Sequence, residues 1–233
     1  METNPRFETL QLAVGGGATV TANLGIPVWW PSGNRVGVVL AHHVGANMDQ
    51  ESLVWLQSEL VDRGHLTIRF NFPYAELGKK RPDAPAVLAR AYRQAVSGLM
   101  RDPQEAPACL VFAGFGLGAR VAAQILAAGA KADGLICMAY PLHAAGKPSE
   151  QKADALFRVI CPIQFIQGTR DTHCRIDRLE TLLKRVGAPT SLDVIEEADH
   201  ELELIKRAPR TPEQARAEIL NSVHRFIARL HSN

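Results

Sequence analysis

Cys109-Leu110-Val111-Phe112-Ala113-Gly114-Phe115-Gly116-Leu117-Gly118-Ala119-Arg120 decides how the rest of the chain is read. An apolar run of strand character ends at Gly114, the chain turns through glycines at every second position, and Leu117 to Ala128 follows as a helical segment. In a Gly-x-Nuc-x-Gly turn between a strand and a helix, the middle residue carries a nucleophile, usually Ser, at the top of the sheet. Here the middle residue is Gly116.

Outward from this turn, strands and helices alternate. Val36 to Ala41 is a short continuous apolar run, as expected of a strand covered on both faces, and Gln50 to Arg63 carries Leu53, Leu56 and Leu60 at helical spacing. The βα pattern recurs as Leu66 to Phe70 with Ala84 to Met100, Leu110 to Ala113 with Leu117 to Ala128, Leu135 to Met138, and Ile163 to Gln167 with Ile176 to Val186. Such alternation predicts an α/β fold, a mostly parallel, doubly wound sheet sandwiched by helices. Ahead of it, Phe7 to Val14 and Ala18 to Ile26 alternate in polarity around Gly15-Gly16-Gly17 and read as an antiparallel hairpin.

The last helix is announced by Thr211-Pro212-Glu213-Gln214, an N-cap, a proline in the first turn and a Gln three residues on, with Ile219, Val223, Phe226 and Leu230 on its apolar face. Tyr140 to Pro162, the longest irregular connection, has room for a short helix but not for a large cap, so the expected pocket is shallow. The 233 residues, 46% hydrophobic, are read as a single domain over 1–233.

Composition narrows the partners. A net charge of +2, with Lys and Arg scattered, offers neither a stripe for nucleic acid nor a polybasic membrane patch, so a small-molecule substrate or ligand is expected. Cys109, Cys137, Cys161 and Cys174 form no C-x-x-C pair and read as free thiols of a reducing compartment, with no metal and no cofactor. Met1 to Glu8 lacks the apolar core of a signal segment, and no apolar run approaches the ~20 residues of a membrane span, so a cytoplasmic location is expected.

Gly114-Phe-Gly-Leu-Gly-Ala119 also fits the dinucleotide fingerprint G-x-G-x-x-G/A. That reading needs an acidic residue at the end of the following strand to hold a ribose, and Cys137-Met-Ala-Tyr140 has none. It also belongs in the first βα turn, whereas this turn follows two complete βα units. The nucleophile-turn reading asks for an acid and then a base, each just beyond a later strand. Asp171 follows Ile163-Gln-Phe-Ile-Gln-Gly168-Thr-Arg, and His200 follows Leu192-Asp-Val-Ile-Glu-Glu-Ala-Asp199, in the required order.

Leu40-Ala41-His42, Phe70-Asn-Phe-Pro-Tyr-Ala-Glu76 with Gly78-Lys-Lys-Arg-Pro-Asp83, Tyr140-Pro-Leu-His143, Phe165-Ile-Gln-Gly-Thr-Arg-Asp171 and Asp199-His200 extend over nearly the whole chain. With them the sequence resembles the α/β-hydrolase-like family of testis-expressed-type proteins, distantly similar to dienelactone hydrolases. The resemblance implies an α/β-hydrolase fold with a minimal cap and serine-esterase ancestry. In that family the elbow reads Gly-x-Ser-Met-Gly-Gly and the first buried strand ends Leu-Ala-His-Gly. Here Gly116 replaces the Ser and His43 replaces the Gly. The family also resembles subunits of chromatin-associated complexes that have lost the elbow serine.

The implied site comprises Gly116 at the nucleophile position, Asp171, His200, and an oxyanion hole from the Leu117 N–H and an N–H of the His43-Val44 loop. Two readings follow: a hydrolase of small ester-like substrates whose activity is weak or absent, with His200 activating water directly, and a non-catalytic ligand- or protein-binding module. His42 reads as a structural hydrogen-bonding residue, and His43 as a solvated loop histidine rather than one that restores polarity beside the oxyanion position. Lys79, Lys80 and Arg81 read as a solvated loop, and Cys109 lies too early in its strand to replace the nucleophile.

Overall fold

The computed structural model describes residues 4–30 and 35–230; residues 1–3 of the Met1 to Glu8 segment lie outside them. The described residues form eight strands and six α-helices, in a chain that divides into two compact units, Met1–Gly114 and Phe115–Asn233.

In the first unit, β1 (Arg6–Gly15) and β2 (Ala18–Ile26) form the expected antiparallel hairpin. β2 pairs antiparallel with β4 (Leu66–Phe70), β4 pairs parallel with β3 (Val36–Ala41), and β3 pairs parallel with β5 (Cys109–Phe115) from Val36↔Cys109 to Ala41↔Gly114. All six β3 residues are buried, which is why the run reads apolar without alternation. Helix α1 (Glu51–Asp62) buries Leu53, Leu56 and Leu60. Helix α3 (Pro85–Leu99) buries Leu88, Ala91, Tyr92, Ala95 and Leu99, with the Tyr92 hydroxyl 3.2 Å from the Val39 carbonyl and 3.1 Å from that of Ala113.

Between β4 and α3 the chain makes a helical turn absent from the sequence reading, α2 (Pro73–Glu76). Proline at its first position begins the turn, and the Glu76 carboxylate accepts hydrogen bonds from the Thr21 N–H (3.0 Å), the Thr21 hydroxyl (2.8 Å) and Asn71 Nδ2 (2.8 Å).

In the second unit, α4 (Leu117–Ala127) packs on β6 (Gly134–Met138), and β6, β7 (Ile163–Gly168) and β8 (Thr190–Ile195) run parallel in that order. β6 and β7 are buried throughout, whereas β8 is half-buried up to Ile195. Helix α5 (Ile176–Leu183) stops before the expected Val186 because the Arg185 and Val186 N–H groups bond three residues back, to Leu182 and Leu183. The Tyr140 to Pro162 connection holds one 3-10 turn, Leu156–Arg158.

Helix α6 (Pro212–Leu230) opens with the reciprocal cap its sequence predicts: the Gln214 N–H donates to Thr211 Oγ1 (3.3 Å) and the Thr211 N–H to Gln214 Oε1 (2.9 Å). It buries Ile219, Val223 and Phe226 against β7 and β8. All four cysteines are free thiols; three are buried, and burial pushes the Cys161 thiol up to about 11. No helix among the described residues is long and apolar enough to cross a membrane.

Candidate active site

The turn quoted at the outset is built as the sequence orders it. β5 ends at Phe115, Gly116 has φ 51° and ψ −110°, and α4 begins at Leu117. This backbone region is one that residues with a Cβ enter only under strain, worth about 1–3 kcal/mol. The Gly116 N–H donates to the Met138 carbonyl (2.9 Å), and the Gly116 carbonyl accepts from the Arg120 N–H (3.2 Å), so the turn is tied to β6 and to its own helix. As the first residue of α4, Leu117 presents one of the N–H groups for which a helix has no internal acceptor.

The same edge of the sheet carries the other candidates. Ala139, just past β6, donates to Ile166 in β7 (2.9 Å), Gly168 pairs in register with Ile195, and Thr169 donates to Ile195 (3.1 Å). Gly116, Asp171 and His200, all residues of the second unit, follow the carboxyl ends of β5, β7 and β8, the ends at which open α/β sheets bind ligands.

Asp171 and His200 meet directly. His200 Nδ1–H donates to Asp171 Oδ2 at 2.8 Å, with the Asp171 side chain fully buried and the His200 side chain 16% exposed. Gln167 Nε2 donates to the same oxygen, and the His173 backbone N–H donates to Oδ1 (2.7 Å). Three donors thus compensate a carboxylate that would otherwise be costly to bury. Accepting from Nδ1–H also sets the His200 tautomer, leaving Nε2 as the basic nitrogen.

A second imidazole stands beside the pair. The His173 ring lies 4.3 Å from that of His200, inclined by 35°, with Nδ1 3.7 Å from Asp171 Oδ1.

What brings the two loops together is local. A Cβ on Gly168 would collide with the Ala198 carbonyl and come within 2.7 Å of the Asp199 carbonyl, so the chain after β8 can cross here only over glycine. The crossing is clamped by Arg170 N–H to the Ala198 carbonyl (2.8 Å), Glu197 N–H to Thr169 Oγ1 (2.9 Å), and a bidentate Arg170–Glu197 ion pair (3.1 and 3.0 Å). Asp199 Oδ1 then accepts from the Glu201 (2.8 Å) and Glu203 (3.2 Å) N–H groups and shapes the turn that carries His200. Buried His143 donates from Nδ1 to the Ala144 carbonyl (2.9 Å) and accepts the Arg175 N–H at Nε2 (3.2 Å), fixing the segment after Asp171.

Gln167, Gly168, Thr169, Arg170 and His143 lie within the blocks that carry the family resemblance. His173 had no such signal beyond its place two residues after Asp171.

In the first unit, His42 has the structural role expected of it. It donates from Nδ1 to the His43 carbonyl (2.8 Å) and accepts the Phe72 N–H at Nε2 (3.1 Å); burial pushes its imidazole down to about 4. His43 corrects the sequence reading: it is buried, not solvated, because its carbonyl is enclosed by His42 and the Tyr74 hydroxyl (3.3 Å) and its N–H lies 3.4 Å from Gln50 Oε1. Val44 is exposed, as are Lys79, Lys80 and Arg81.

A family model for the alpha/beta hydrolase domain matches residues 34–228, through both units. The chain belongs to the alpha/beta hydrolase domain family. Its fold is the α/β-hydrolase fold, a mostly parallel eight-stranded sheet with an N-terminal antiparallel hairpin. Solved structures agree over almost the full length. An alpha-beta serine hydrolase homologue from Coxiella burnetii superimposes with a TM-score of 0.73 at 18% identity, covering 94% of this chain and 96% of its own. A dienelactone hydrolase from Anabaena variabilis gives 0.72 at 20% identity, with the same coverages of 94% and 96%. A serine hydrolase without lid from Xanthomonas campestris gives 0.72 at 21% identity, covering 97% and 96%. These hydrolases share the fold of this α/β-hydrolase domain.

Proposed function

We propose that this α/β-hydrolase domain is a slow hydrolase of small ester-like substrates in which Gly116 occupies the nucleophile position and water replaces the missing side chain. The single observation that carries this reading is the His200–Asp171 hydrogen bond of 2.8 Å on a buried carboxylate held by two further donors. A base is thus built and oriented, while the central residue of the turn between β5 and α4 has no hydroxyl.

In this reading, Nε2 of His200 removes a proton from water as its oxygen adds to the ester carbonyl. Asp171 stabilises the imidazolium through Nδ1–H, and the Leu117 N–H at the start of α4 donates to the developing oxyanion. Collapse of the tetrahedral intermediate breaks the bond to the alkoxide, which takes the proton back from His200. No acyl-enzyme forms. Machinery lacking its nucleophile retains about 10³ to 10⁴ over water through the remaining groups, which sets the scale of the expected rate.

The test is rapid mixing with p-nitrophenyl acetate followed by intact mass measurement, alongside a fluorophosphonate probe. Linear turnover above buffer, without a burst, acylated protein or probe label, is expected. Stoichiometric label on the Leu110 to Arg120 peptide would refute the reading. No turnover above buffer would favour the non-catalytic binding module instead.

A further inference from the structure

Asp171, His173 and His200 each offer one ligand atom, and the three atoms lie within 4.8 Å of one another. Both imidazoles turn Nδ1 toward the same carboxylate, His200 at 2.8 Å from Oδ2 and His173 at 3.7 Å from Oδ1. The ring planes are inclined at 35° rather than parallel, so their in-plane lone pairs are not locked side by side. The hydrolytic dyad uses two of these groups. It gives His173, whose side chain is 38% exposed, no part in the chemistry.

We propose that these three side chains form a binding site for a divalent transition-metal ion, Zn²⁺ foremost, and that the ion competes with the His200–Asp171 hydrogen bond. Two imidazoles and one carboxylate are a donor set for zinc, which binds nitrogen at about 2.0–2.1 Å and leaves a fourth position for water. Imidazole nitrogen also favours zinc, copper and nickel over magnesium and calcium, whose preferred ligands are oxygens.

The surroundings suit such an ion. Gln167 Nε2 and the His173 N–H hold the carboxylate in place, the outer-shell support that ligating carboxylates require. His173, its side chain 38% exposed, is the most accessible of the three, and the Thr172 hydroxyl lies 3.4 Å from its Nδ1.

Binding breaks the His200 Nδ1–H bond and forms an Nδ1–metal bond; the proton moves through solvent to Nε2, so the ring remains a neutral imidazole, and Asp171 changes from hydrogen-bond acceptor to metal ligand. The metal-bound ring carries its one proton on Nε2, which can no longer accept one from water. Zinc thus switches the dyad off. Only this last consequence rests on the hydrolytic reading.

The test is calorimetric titration of tag-free protein with ZnSO₄, with MgCl₂ as comparison and proton NMR of the low-field His200 Nδ1–H. One Zn²⁺ per chain, loss of that resonance, and much weaker Mg²⁺ binding are expected. His173→Ala and His173→Gln should each weaken zinc binding about tenfold or more, while His224→Ala on the exposed side of α6 leaves it unchanged. Absence of saturable binding at millimolar zinc, or His173 variants that fold and bind as tightly as wild type, would overturn the proposal. A protein that binds zinc in this way yet hydrolyses nothing would sink the hydrolytic reading alone.

Discussion

Gly168 and Ala198 approach so closely that a single methyl group cannot be inserted between them, and this contact sets the distance between the loops bearing Asp171 and His200. The obstacle is backbone, so no side chain can rotate away to relieve it.

Gly168→Ala should therefore push the two loops apart, lowering stability by about 1–3 kcal/mol or more and weakening the dyad hydrogen bond. Urea unfolding reads the first effect and the low-field Nδ1–H resonance the second. Wild-type stability with an intact resonance would contradict the role assigned to Gly168.

The glycine-only contact at Gly168 also shows where the sequence was legible. The order of strands and the positions of Asp171 and His200 just past β7 and β8 followed from apolar runs and polar punctuation, signals of local chain chemistry. The cap of α6 was legible for the same reason: Thr211 and Gln214 act within one turn. β8 was read as running to Asp199 but stops at Ile195, because Glu197 takes a positive φ of 60° and the chain folds back over Gly168. The burial of His43 and the turn α2 depend on partners distant in sequence, Tyr74 for the one and Thr21 for the other. Residue periodicity carries no record of such contacts. Gln167 and His173 acquire their roles only once the turn after β7 wraps them around Asp171.

Acidification should destabilise the fold through His42. Its imidazole titrates near 6.5 when unfolded, but burial pushes it down to about 4 in the native chain. Between these values the unfolded chain holds a proton that the native one refuses, so stability falls as pH drops through the window. The loss from pH 7 to pH 5 should be about 2 kcal/mol. Urea titrations at both values should show a smaller difference for His42→Gln; an equal loss in both proteins would contradict the assignment.

Gly116→Ser should change two properties together. A Cβ at φ 51° and ψ −110° introduces strain, lowering stability by about 1–3 kcal/mol. The new hydroxyl should give a burst with p-nitrophenyl acetate and label with a fluorophosphonate. A variant as stable as wild type and inert to both reagents would show that the turn does not serve as a nucleophile position.

The account stands most directly on His200 acting as a base toward water, so the deciding measurement is the rate of p-nitrophenyl acetate hydrolysis by the wild-type protein and by His200→Gln at neutral pH. The wild type should exceed buffer by about 10³-fold, and the variant should lose at least about 10² of that. Equal rates for the two proteins would contradict the account.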